Sequence, residues 1–98
     1  MSQHHLKPLF APKSVAIFGA SDKPDSIGQI VMHNMRQSGF KGGLYPINPK
    51  HQSVQGATAF ANLGQLKQSV DLAVIATPAA TVPAIIEQCG QHQVKAAI

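Results

Sequence analysis

Gly19, Ala20 and Ser21 follow directly on the apolar run Val15 to Phe18, and Ser26, Ile27 and Gly28 stand a few residues further on. Residues this small let a backbone pass close to a bulky anion. A helix opening near Ser26 adds unpaired N–H groups and the positive end of its dipole at the same place. Ser21 can donate a hydroxyl and Lys23 a charge, with Asp22 between them. The stretch reads as a phosphate-binding turn. It is not a strict G-x-G-x-x-G, and any tight passage from strand to helix also favours small residues.

Two other stretches carry usable groups. In "YPINPK", Asn48, Pro49 and Lys50 follow an apolar segment. Folds that hold NAD place an Asp or Glu near the end of the second strand, to grip the ribose diol. No acid stands here, and Lys50 suits a phosphorylated ribose, as in coenzyme A (CoA) or NADP. A solvated lysine after a Pro-containing turn is the plain alternative. In "ATPAATV", Thr77, Pro78 and Ala79 can offer backbone groups to an adenine or a pantetheine arm, while Pro78 also ends a strand.

These three stretches need a scaffold that gathers them. Val15 to Phe18 is a continuous apolar run closed by Gly19, as in a strand buried on both faces. Ile27, Ile30, Val31 and Met35 recur at helical spacing and predict an inner face, with Asp25 or Ser26 as the cap and Gly39 as the stop. A second strand is expected over 43–49, where Pro46 argues for a strand end or an irregular stretch. "ATAF" reads as a short edge strand, and Asn62 as the cap of a brief helix through Leu66. A further strand runs from Asp71 to Ala76. The next helix is capped by Thr81, turns Val82, Ile85, Ile86 and Cys89 inward and ends at Gly90; a last strand starts near Val94. Strands alternating with helices predict a parallel sheet. The expected architecture is α/β, a Rossmann-like doubly wound fold with strand order 3-2-1-4-5. Ligands of such sheets bind beyond the strands' carboxyl ends, where the strand order reverses. All three stretches reach that edge.

Composition narrows the function further. The chain has 98 residues, 44% hydrophobic and 12% charged, enough apolar material for one packed domain. Its net charge of +4 is scattered, with no basic run and no aromatic residues interleaved among the lysines, so a small polyanion fits better than nucleic acid. Cys89 is the sole cysteine, which rules out an intrachain disulfide. No signal peptide or membrane-length apolar run is apparent, and the cytoplasm is the expected compartment. His4 and His5 fall in a tail expected over 1–12, and His33, His51 and His92 show no metal-ligand spacing. Asp22, Asp25, Asp71 and Glu87 form no convincing acid–base pair, and Cys89 lies on an apolar helix face. No catalytic residue and no metal site is expected. The domain is expected over 13–98. The closing "VKAAI" reads as a strand just beginning, which predicts a fragment of a larger protein.

The segments "LFAPKSVAIFGAS", "GFKGGLYPINPK" and "VDLAVIATPAATVPAIIEQCG", in that order, resemble the N-terminal CoA-binding domain of the NDP-forming acyl-CoA synthetases. That group includes ADP-forming acetyl-CoA synthetases and is related to the succinyl-CoA synthetase α subunit. The opening "MSQ" and "PKSVAIFGAS" also resemble large bacterial protein lysine acetyltransferases, in which a synthetase-like region is fused to a GNAT domain. The resemblance implies that Ser21 and the loop after it hold CoA phosphates, that Lys50 lies by the nucleotide end, and that Thr77 to Ala79 line the CoA. It also implies that downstream domains of the parent chain do the chemistry; from charge pattern and hydropathy, no nucleic acid or membrane partner is expected. The other readings left by the residues are an NADP-binding domain of an oxidoreductase or redox sensor, and a ligand-free regulatory module.

Overall fold

The computed structural model describes residues 13–66 and 69–98. His4, His5 and the tail expected over 1–12 lie outside the described residues. Four parallel strands form the sheet, in the order β2-β1-β5-β6. They are β1 (Ser14–Phe18), β2 (Gly43–Ile47), β5 (Leu72–Ile75) and β6 (Ala96–Ala97). Between β2 and β5 stands a separate antiparallel hairpin of β3 (Ser53–Val54) and β4 (Ala57–Thr58). The helices are α1 (Ile27–Gln37) and α2 (Val82–Gln91), with 3-10 turns at Leu63–Gln65 and Ala79–Thr81.

β1 is buried because it lies between β2 and β5, with a helix on each face. Its side chains alternate accordingly. Val15 and Ile17 join Met32 of α1 on one face; Ala16 and Phe18 join Ile85 and Cys89 of α2 on the other. Register keeps like with like: Val15 pairs with Leu44 and Leu72, Phe18 with Ile47 and Ile75.

Four places of the expected strand order hold. The fifth, the edge strand read in "ATAF", is corrected. Ala57 and Thr58 turn back on Ser53 and Val54, and only Phe60 bridges to Ile47. Gln55 and Gly56 both have positive φ (49° and 81°), which gives the tight two-residue turn of a hairpin. No irregular stretch forms at Pro46: it lies in β2 one residue before the strand's end, fully buried and paired with Ile17. Gly43 N–H donates to the Lys13 carbonyl and Gly19 N–H to the Ile47 carbonyl, so alternation turns the Pro46 nitrogen away from β1, where no ladder donor is missed.

The helices differ from expectation in rotation and ends. In α1 the buried residues are Gly28 and Met32, while Ile27 and Ile30 are 68% and 45% exposed. Ser26, not Asp25, is the cap; its hydroxyl accepts from Gln29 N–H at 3.2 Å. Gly39 follows the helix at φ 82°, as expected. In α2, Ile86 points outward and the helix passes through Gly90 to Gln91, leaving Gln93 to take the left-handed turn (φ 59°). Thr81 and Asn62 stand at cap positions but accept no amide hydrogen bond there.

Asp71 ties the sheet's amino-terminal edge. Its carboxylate accepts from Lys13 N–H at 2.8 Å and pairs with Lys95 at 3.3 Å. The Lys13 amide, more than Lys95, holds this carboxyl below the usual value, against a smaller opposing effect of burial. A depressed folded-state pKa gives stability that is present above the unfolded value of 3.8 and lost as pH falls through the folded one. Asp71→Asn is expected to cost less than about 1 kcal/mol at neutral pH. The gap from wild type should persist down to about pH 3.8 and close as pH falls further, through the folded-state value, in denaturant melts.

Candidate functional site

The strand order reverses between β1 and β5, and a cleft of about 620 Å³ opens there beyond the carboxyl ends of β1, β2 and β5. That volume lies in the range of small-molecule sites. Of the sequence-predicted residues, Gly19, Ser21, Lys23, Asn48, Pro49, Lys50, Thr77 and Pro78 line it. The three stretches do converge.

Each is held by local hydrogen bonding. Gly19 has φ 84°, and a Cβ there would lie 2.7 Å from the Ala76 carbonyl oxygen, so a bare backbone is what lets β1 turn past the end of β5. Asn48 spans the two loops. Its amide donates to the Ala20 carbonyl at 3.0 Å, and its Oδ1 accepts from Lys50 N–H at 2.9 Å. The chain carrying Lys50 is thereby fixed against the β1 turn, with its ammonium exposed at the rim. Ser21 Oγ accepts from Lys23 N–H at 2.9 Å, which leaves its own proton free to donate to a ligand oxygen. Thr81 Oγ1 lies 2.6 Å from both Thr77 Oγ1 and the Pro78 carbonyl, closing the β5 side.

The remaining predicted residues are not among those that line the cleft. Ala20 is fully buried under the turn. Asp22 accepts from Gln55 N–H at 2.8 Å and anchors the loop to the hairpin. Ser26 caps α1, Ile27 faces away, and Ala79 opens the 3-10 turn before α2. Gly28 is where α1 touches the β1 turn: a Cβ there would lie 1.8 Å from the Gly19 carbonyl oxygen.

Sequence reasoning missed Phe18, Ile47, Ala61, Ala76, Thr81, Ile85 and Gln88, which complete the lining. Phe18 and Ile47 are the last residues of their strands, one step before residues that were singled out. Thr81, Ile85 and Gln88 share one stripe at the start of α2, and the polar Gln88 between Ile85 and Cys89 was the available signal. Gln88 Oε1 accepts from Leu63 N–H at 2.6 Å, which fastens the segment bearing Ala61 beside the cleft. The result is an apolar floor of Phe18, Ile47 and Ile85 under a rim carrying Lys23 and Lys50.

Among the described residues no three His, Cys, Asp or Glu gather as metal ligands, and no helix is long and apolar enough to cross a membrane. The Cys89 thiol is buried, and burial pushes its pKa up, away from the reactive thiolate.

The fold and site together are a doubly wound sheet with a cleft at its switch point, lined by two lysines above an apolar floor. Residues 13–98 match the family model of the CoA binding domain. The chain belongs to that family. It is 39% identical over 95 residues to an ADP-forming acetate–CoA ligase of Methanocaldococcus jannaschii, covering 97% of this chain and 13% of that protein. To the α subunit of ADP-forming acetate–CoA ligase I of Pyrococcus furiosus it is 40% identical over 94 residues, covering 92% of this chain and 20% of that subunit. The dinucleotide-forming acetyl-coenzyme A synthetase 1 of Ca. Korarchaeum cryptofilum, solved with phosphate and ADP, superposes at TM-score 0.90 with 38% identity, over 94% of this chain and 20% of that one. The chain thus spans a fifth or less of these relatives' length.

Proposed function

We propose that this domain binds CoA, free or acylated, in the cleft between the Gly19–Lys23 loop, Asn48–Lys50 and Thr77–Pro78, and that it does not catalyse by itself. The observation that carries the reading is the rim: the Ser21 hydroxyl and Lys23 on one side, Lys50 on the other, above an apolar floor. In this reading the loop meets the CoA diphosphate, Lys50 balances the adenosine 3′-phosphate, and the floor takes apolar parts of the ligand. Domains elsewhere in the parent chain would then act on the thioester. A parent resembling the ADP-forming acyl-CoA synthetases is favoured by the relatives found. The second reading, a GNAT-fused protein lysine acetyltransferase, rests on "MSQ" and "PKSVAIFGAS" alone.

Calorimetric titration with CoA, dephospho-CoA and NADP, on the wild type and on Lys50→Ala, tests the proposal. A hydrogen bond to a charged group is worth about 1.5–3 kcal/mol, or about tenfold or more in affinity. CoA should bind at least that much more tightly than dephospho-CoA, and Lys50→Ala should erase the difference. Binding of NADP alone would assign the cleft to an oxidoreductase or sensor. Equal binding of CoA and dephospho-CoA would remove Lys50 from the site.

A further inference from the structure

A residue that does not line the cleft holds the ligand loop at two points. Gln55 sits at the tip of the β3–β4 hairpin, distant in sequence from the loop. Its backbone N–H donates to Asp22 Oδ1 at 2.8 Å. Its side-chain amide donates to the Gln29 carbonyl at 3.1 Å and reaches the Ser21 carbonyl at 3.4 Å. Its own carbonyl accepts from the Arg36 guanidinium of α1. One hairpin residue therefore joins the loop, the first turn of α1 and the last turn of α1. It does so from a left-handed conformation (φ 49°), which Asn or Gly adopts more readily than Gln. The side chain present is not the one the turn alone would select.

We infer that Gln55 is a positioning residue for the ligand site: it holds Ser21 to Lys23 in the shape that presents the Ser21 hydroxyl and Lys23 to the cleft. This rests on the CoA reading for its ligand and on the hydrogen bonds above for its mechanism. The physical case is one of preorganisation. The loop is exposed at Asp22 and Lys23, and an exposed loop that must order on binding gives up affinity in doing so. A hairpin that fixes it beforehand removes that loss. Because Gln55 acts through the Ser21–Lys23 loop, its influence falls on the ligand part common to CoA and dephospho-CoA. Lys50 acts on the part that differs.

The test uses Gln55→Asn. Asparagine suits the turn's left-handed position and keeps both backbone hydrogen bonds, but its amide is one methylene too short to span to Ser21 and Gln29. Three quantities are read: thermal midpoint, affinity for CoA and for dephospho-CoA, and hydrogen exchange of the amides from Ser21 to Lys23. The expected result is a midpoint unchanged or raised, faster exchange in the loop, and a fivefold to tenfold loss of affinity that is equal for the two ligands. Wild-type affinity for both would overturn the inference, as would a loss confined to CoA. If the wild type itself binds neither ligand, the CoA reading fails separately, and exchange decides alone: unchanged loop protection in Gln55→Asn would overturn the clamp.

Discussion

Gly28→Ala should unfold the domain at a midpoint roughly 10 °C lower than wild type and abolish ligand binding at ordinary concentrations. The sign is opposite to what helix propensity gives, since Ala in a helix interior is favoured over Gly by about 0.8–1 kcal/mol. Packing reverses it. The added Cβ would meet the Gly19 carbonyl oxygen at 1.8 Å, its carbon at 2.8 Å and Ala20 Cα at 3.2 Å, all backbone atoms that no rotamer change can withdraw. To restore an ordinary contact of about 3.5 Å, α1 must retreat from the β1 turn by on the order of 1.5 Å. Overpacking of this kind costs about 1–3 kcal/mol and sometimes more. In a domain of this size each kcal/mol moves the midpoint by about 4–8 °C. The retreat also drags the Gly19–Lys23 loop, so affinity falls with stability. Gly90→Ala is the internal control: it lies in the other helix, and a Cβ there meets nothing within 4 Å. The same substitution should be neutral or stabilising by up to about 1 kcal/mol. Paired thermal melts decide the matter; equal shifts for the two variants would show that the contact between Gly28 and Gly19 is not tight.

That contact also explains why some of the fold was legible in the sequence and some was not. β1 was readable because continuous burial leaves an unbroken apolar run, and β5 because all four of its residues are apolar. The convergence of the three stretches followed from topology, which depends on the alternation of elements rather than on any one contact. The rotation of α1 was misread for a definite reason. The centre of its buried face is a glycine, which carries no hydrophobic signal, so the periodicity of Ile27 and Ile30 pointed to the wrong side. Gly90 was misread in the converse way: it needs no positive φ and fits inside a helix, while Gln93 supplies the turn. The hairpin was missed because two residues per strand are too few to show a period of two. Gln55 and Gln88 were missed because their work lies in hydrogen bonds to backbone groups 25 or more residues away. No local pattern encodes such bonds. The Gln-Gly pair at 55–56 was the visible trace of the turn, and the uncharged polar residue on the inner stripe of α2 that of the cleft wall.

The two faces of the sheet should separate stability from binding. Ile17 and Ile85 are both buried, at 0% and 9% exposure, but on opposite sides of the sheet. Ile17 packs with Val15 and Met32 beneath α1, away from the cleft; Ile85 packs with Phe18 and forms part of the cleft floor. Truncating a buried isoleucine to alanine costs about 2–5 kcal/mol, a large share of the 5–15 kcal/mol that holds a typical domain together. Ile17 sits in a central strand with neighbours on every side, so little can relax into the space. Ile17→Ala should fall in the upper half of that range. Ile85→Ala should fall lower, because its site opens onto the cleft. Binding should rank them the other way. Saturating CoA should raise the midpoint of Ile17→Ala as much as that of wild type, since its cleft is intact and the ligand acts by mass action on the folded state alone. Ile85→Ala should gain less from the same concentration, having lost part of the floor. Thermal melts with and without CoA give both numbers in one experiment. If Ile17→Ala loses the ligand-induced shift while Ile85→Ala keeps it, the ligand lies on the α1 side of the sheet and the cleft assigned here is the wrong one.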